Sequence, residues 1–258
     1  MEIHDGGVNL EKSGAPAVTH FWGFWATTGF GLIVIVASFI AQGFTVLVFL
    51  LNYLLSNRQA GLSAAMNIVD SSLGTITAVA LVLEVVVCIP LIAAFIRLRR
   101  SLSFKNYLGL QGFKAKTLLF WLAANLVYIV VAEGIRYALK IPQSQNDMAL
   151  YATSLYLPLF FAAIVVFAPA FEEVLFRGFM LQGYSSSRIG PVFAIIITAA
   201  WWASLHVSAG TYDLAVIFAG GLVLGLARWK TGSLWITFAM HAFWNLLAFI
   251  TLATAVST

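Results

Sequence analysis

Charged side chains make up only 9% of this 258-residue chain. Soluble globular domains carry about a quarter, and with 61% hydrophobic residues and a mean hydropathy of +0.94 the surrounding solvent is lipid. Cysteine is nearly absent. The single Cys88 lies in the Val/Leu/Ile run over 85–92, so an internal disulfide is excluded and its expected role is packing. The first 20 residues lack the cationic start, apolar stretch and small-residue cleavage site of a secretory signal. They contain Glu2, Asp5, Glu11 and Lys12 and read as a short, poorly ordered tail over 1–20. Period-two alternation is missing, which excludes a membrane β-barrel. The net charge is +4, yet the basic residues sit beside apolar runs, as the positive-inside rule places them, so nucleic acid is not an expected partner.

What the chain does contain is a series of apolar runs long enough to cross a bilayer, which takes roughly 20 residues per helix. The expected fold is all-α, a polytopic bundle of about seven to eight transmembrane helices. Seven are placed at 30–55, 74–97, 117–139, 153–183, 191–206, 213–228 and 234–254. The segment 97–116 holds Arg97, Arg99, Arg100, Lys105, Lys114 and Lys116 without an acid, which marks it as cytoplasmic. Arg188, Arg228 and Lys230 then fall on the same side. This alternation sets the N-terminus in the cytoplasm and the C-terminus outside, in a multi-pass protein expected in a bacterial cytoplasmic membrane. The fourth run, about 31 residues, would rise roughly 46 Å at 1.5 Å per residue. It contains Pro158 and Pro169, so it tilts, kinks or splits near Pro169. Residues 21–150 read as N-terminal helices and 151–258 as a catalytic core, together one integrated domain. The Gly221/Gly225 spacing in the sixth run fits ordinary close packing of helices.

Ionisable groups in hydrocarbon are costly and usually functional, which singles out Glu172, Glu173 and Arg177. On a helix Glu173 and Arg177 share a face, while Glu172 is rotated by about 100° from its neighbour. Glu173 is therefore expected to pair with Arg177, leaving Glu172 as the candidate general base. Two histidines in later helices have partners one turn away: Trp202 before His206, and Asn245 after His241. A carboxylate and an imidazole around one water can deprotonate it and return the proton to a leaving amine. His241 and Asn245 would then donate to the oxyanion that forms. This chemistry is peptide hydrolysis. The set Glu172, His206 and His241 could equally ligate zinc or another divalent metal, although no His-Glu-x-x-His run is present.

The motifs Glu172-Glu173-Val174-Leu175-Phe176-Arg177, Trp202-Ala203-Ser204-Leu205-His206 and His241-Ala242-Phe243-Trp244-Asn245, in this order on three membrane helices, resemble those of the CAAX protease and bacteriocin-processing family. The resemblance spans roughly 151–254. It implies an intramembrane endopeptidase acting within the lipid bilayer on a membrane-associated protein or peptide, a class that includes prenylated CAAX substrates. It also implies that Glu172 and His206 activate water, that His241 and Asn245 stabilise the oxyanion, and that Glu173, Arg177 and Trp202 support the site. No cofactor is required in that reading, while a metal-dependent one fits the same residues. Trp202 departs from the pattern, which usually begins this motif with phenylalanine. The N-terminal helices carry only a faint signature, Tyr107-Leu108-Gly109-Leu110.

Other intramembrane polar groups are Glu84, expected either to line a polar cavity or to bond a neighbouring helix, and Glu133 with Arg136, expected to pair. Trp22, Trp25, Trp121, Trp229 and Trp235 fall near helix ends, as interfacial anchors do. Intramembrane Glu and His also suit a proton-coupled transporter, against which stands the absence of inverted repeats. A non-catalytic immunity or scaffold protein is the third alternative.

Overall fold

The computed structural model describes residues 21–99 and 102–257. The expected tail over 1–20 lies outside the described residues, as does Arg100 of the basic segment. Regular structure among the described residues is entirely helical: α1 Phe24–Ser56, α2 Leu62–Ser71, α3 Leu73–Arg97, α4 Phe104–Leu108, α5 Ala115–Ala138 and α6 Gln145–Ala152, followed by α7 Leu157–Ser185, α8 Gly190–Ser204, α9 Thr211–Thr231 and α10 Leu234–Ser257. Of these, α1, α3, α5, α7, α9 and α10 are long and apolar enough to span a membrane, and α8 is a shorter apolar helix of 15 residues. The expected polytopic bundle of about seven helices is what the chain forms. Short α2, α4 and α6, each too brief to cross hydrocarbon, fill connections that the hydropathy pattern reads as loops.

Connections gather at two ends. At one, the Trp22 indole donates to the Phe95 carbonyl at 3.2 Å, Leu234 N–H donates to Gly109 O at 2.9 Å, and the Ser233 hydroxyl donates to Gln111 O at 3.0 Å. This end holds Arg97, Arg99, Lys105, Lys114, Lys116, Arg188, Arg228 and Lys230. At the other, the Asn146 amide donates to Ser208 O at 2.8 Å and Leu155 N–H to the Thr75 hydroxyl at 2.7 Å. The acids Asp147 and Asp213 lie there, at the start of α6 and α9.

The central helix is α7: half of its apolar window is buried, against 17–33% for the other spans. Phe171, Leu175, Phe176, Phe179, Met180 and Tyr184 pack inward from it, while α1 turns Phe39, Ile40 and Phe44 outward, where lipid covers them. The open question of a split at Pro169 is decided by register. The helix runs on continuously through two wide-turn (π) segments, Ala163–Phe167 and Glu173–Met180. Pro169 has no N–H to give and its ring crowds the carbonyl a turn earlier. Widening the preceding turn relieves that conflict, and Ala168 N–H accordingly bonds Ala163 O, five residues back.

Packing explains most isolated polar groups. Glu84 is bonded by the Ser38 hydroxyl of α1, with the Gln42 amide at 3.5 Å, and so joins α3 to α1 instead of lining a cavity. The Cys88 thiol is buried against Val34 O. Asn125 of α5 donates to Met240 O of α10 at 2.9 Å. A Cβ at Gly221 would lie 2.9 Å from Ala199 Cβ, and one at Gly225 the same distance from an Ile195 methyl, so the glycine pair serves the close contact of α9 with α8. Tyr107 of α4 stacks on Phe179 at 5.5 Å and is fully buried, which pushes its phenol above the ordinary value and keeps it neutral.

Candidate active site

Three helices meet around the two adjacent carboxylates of α7. Glu173 turns into the protein and is fully buried. Arg177 Nη1 donates to its Oε1 at 2.9 Å, and His241 Nδ1 of α10 meets the same oxygen at 3.0 Å. Glu172 faces the other way, into a pocket, where the Trp202 indole N–H of α8 donates to its Oε2. The His241 ring lies between them, its Nε2 3.7 Å from Glu172 Oε2. The expected pairing of Glu173 with Arg177 is present, and the neighbouring acids have separate surroundings.

Trp202 does more than a packing aromatic would. Its ring lies under the Arg177 guanidinium at 4.3 Å and edge-on to His241 at 5.1 Å, and its backbone carbonyl holds His206 Nδ1 at 2.9 Å. A carbonyl only accepts, so His206 Nδ1 carries the proton and the lone pair of the neutral ring resides on Nε2. His206 follows the last turn of α8, where the chain leaves the helix. The indole–carboxylate bond is not readable from the motif, because it joins residues 30 apart in sequence.

Asn245 is oriented by the proline-induced register. Ala168 N–H is engaged with Ala163 O, and Pro169 has no N–H, so the Ile164 carbonyl lacks a helical donor. The Asn245 side-chain amide donates to that carbonyl at 2.9 Å. One amide hydrogen is thereby used and its second remains.

Glu172, Trp202, His206, His241 and Asn245 line one cavity of about 240 Å³. Its mouth is formed by Ser144, Asp147 and Asp213, at the end remote from the basic loops. Arg136 of α5 braces this rim. It pairs with Glu133 at 3.3 Å as expected, and also with Asp213 of α9 and the Pro142 carbonyl. Asp213 has no signal in sequence beyond its place in the first turn of a helix, where acids are favourable.

Catalytic zinc is held by three converging protein ligands. Glu172 and His241 approach each other, but no group of three His, Cys, Asp or Glu side chains gathers at metal-binding spacing among the described residues. The donor set does not fit a zinc site.

Residues 154–247 match the family described as type II CAAX prenyl endopeptidase Rce1-like. Over this stretch the chain is similar to that family. All three motifs and the pocket wall built from α7, α8 and α10 fall within it, and the family's activity is CAAX-type intramembrane proteolysis. No curated protein and no solved structure shows a match to the chain.

Glu173→Ala is expected to strip the buried Arg177 of its carboxylate. The cost should be about 3–5 kcal/mol of stability, as for other buried pairs broken from one side, seen as a lowered unfolding temperature in detergent. An unchanged unfolding temperature would show that the buried pair contributes nothing.

Proposed function

We propose that this Rce1-like protein is an endopeptidase whose water-activating and oxyanion-binding groups are Glu172, His206, His241 and Asn245. The observation that carries the reading is their convergence, from three helices, on one cavity. Water enters from the Asp147/Asp213 mouth and is held between Glu172 and the Nε2 lone pair of His206. Trp202 occupies one oxygen of Glu172 and leaves the other for this water. The pair takes a proton as water attacks the peptide carbonyl, and returns it to the departing amine as the tetrahedral intermediate collapses. Negative charge on the carbonyl oxygen is met by the second amide hydrogen of Asn245 and by His241. That ring is held through Nδ1 at Glu173, with Nε2 turned to the cavity beside Glu172. Glu173, Arg177 and Trp202 hold these groups in place and touch no substrate. The substrate is a membrane-associated protein or peptide, and prenylation would supply an apolar anchor in the bilayer.

The distribution of charge supports an orientation with the basic end in the cytoplasm, the N-terminus there too, and the C-terminus outside. The cavity then opens on the outer face.

Glu172→Ala and His206→Ala should each lower cleavage of a membrane-bound reporter peptide by about 1,000-fold or more, within the range lost with a general base and its partner, at unchanged unfolding temperature. Normal turnover in both variants would remove the mechanism. A chelator should leave wild-type turnover intact, and loss reversed by added zinc would replace the protein-only route with a metal-dependent one. With Cys88 buried, Ser144→Cys should be modified by an impermeant maleimide on intact cells. Modification only after lysis would reverse the orientation.

A further inference from the structure

A second cavity, of about 320 Å³, lies at the basic end, on the far side of Arg177 from the catalytic groups. Its walls include Arg177, Gln182 and Ser185 of α7 and Arg228 and Trp229 of α9. Both arginines are at least nine-tenths buried: Arg177 is 1% exposed and Arg228 6%. Arg177 uses Nη1 on Glu173, and its Nη2 has no hydrogen-bond partner. Arg228 donates from Nη2 to the Leu108 carbonyl at 3.2 Å, and its Nε has none. Glu173 is ion-paired with Arg177, and among the described residues Arg228 has no carboxylate within ion-pair distance. Burying an unpaired charge is among the costliest things a fold can do, and buried donors without a protein partner call for water or an ion to satisfy them.

We infer that the Arg177/Arg228 cavity is a binding site for a phosphate-bearing anion. Guanidinium forks match phosphate oxygens in geometry and charge, Ser185 and Gln182 add neutral donors, and the surrounding end is rich in Lys and Arg. Basic pockets between helices at this level suit lipid headgroups, and Trp229 at the rim is placed as an interfacial anchor. The chain is shaped to keep Arg228 here. Gly109, at φ +68°, passes so near that a Cβ would collide with the Arg228 guanidinium and the Gly232 carbonyl. The anion would arrive either as a lipid headgroup or as free phosphate. The site is independent of the catalytic proposal, because its occupancy is read by binding and not by turnover.

The test is the unfolding temperature of the purified full chain in a non-ionic detergent, titrated with short-chain phosphatidylglycerol, with inorganic phosphate, and with sodium chloride at matched ionic strength. A saturable rise is expected with phosphatidylglycerol and not with chloride. An equal rise with inorganic phosphate identifies the free anion as sufficient, and its absence identifies the headgroup. Arg228→Gln should weaken the apparent affinity by about 10-fold or more, the loss of one charge-assisted bond. Ser185→Glu keeps both arginines and supplies a carboxylate in the cavity, so it should raise the ligand-free unfolding temperature and suppress the response. No saturable rise with either phosphate source, or a response equally strong in both variants, overturns the assignment.

Discussion

The Glu173 carboxylate is the interaction on which this structure turns. It is an acid removed from water, which is tolerable only because Arg177 and His241 meet it directly. Those contacts fix three things together. They clamp α7 to α10, they hold the Arg177 plane against the Trp202 ring of α8, and they turn His241 so that its other nitrogen faces Glu172. Glu172 is left at the cavity by the same arrangement, since its neighbour has consumed the local counter-charge. One acid is structural so that the other is available.

Pro169 contributes through the backbone. Its missing N–H and its bulk widen the turns of α7, and the displaced register strands the Ile164 carbonyl. A stranded carbonyl in a membrane interior requires a donor, and Asn245 of α10 supplies it. A local rule about proline therefore becomes a tertiary contact that orients a proposed oxyanion donor. Wide-turn segments occur often at functional sites because they redirect side chains without breaking the helix. Here the second one begins at Glu173 itself and runs through Arg177.

Much of this was legible in sequence. Composition specified a helical membrane bundle, and hydropathy located six long spans and the short α8, because lipid imposes a length and an apolarity that leave a plain mark on the chain. The Glu173–Arg177 pair follows from helical spacing alone. What could not be read were contacts without a local spacing: Trp202 to Glu172, Asp213 to Arg136, and Asn245 to Ile164. Glu84 is instructive, because both its expected roles were chemically sound, and only the approach of Ser38 and Gln42 on α1 selected the structural one. The short helices α2, α4 and α6 escaped because segments of five to ten residues leave no membrane-length apolar run in hydropathy.

By itself the amino-acid sequence determined the solvent, the helices, the clustering of basic residues and the identity of the unusual charges, since each of these depends on composition or on neighbours along the chain. Tertiary structure alone decided which residues face one another: which acid is buried, where the cavity opens, and that Arg177 lies between two pockets of opposite character. The physical reason is that burial and pairing in this protein are set between helices. Their relative rotation depends on packing over the whole bundle, which no local spacing encodes.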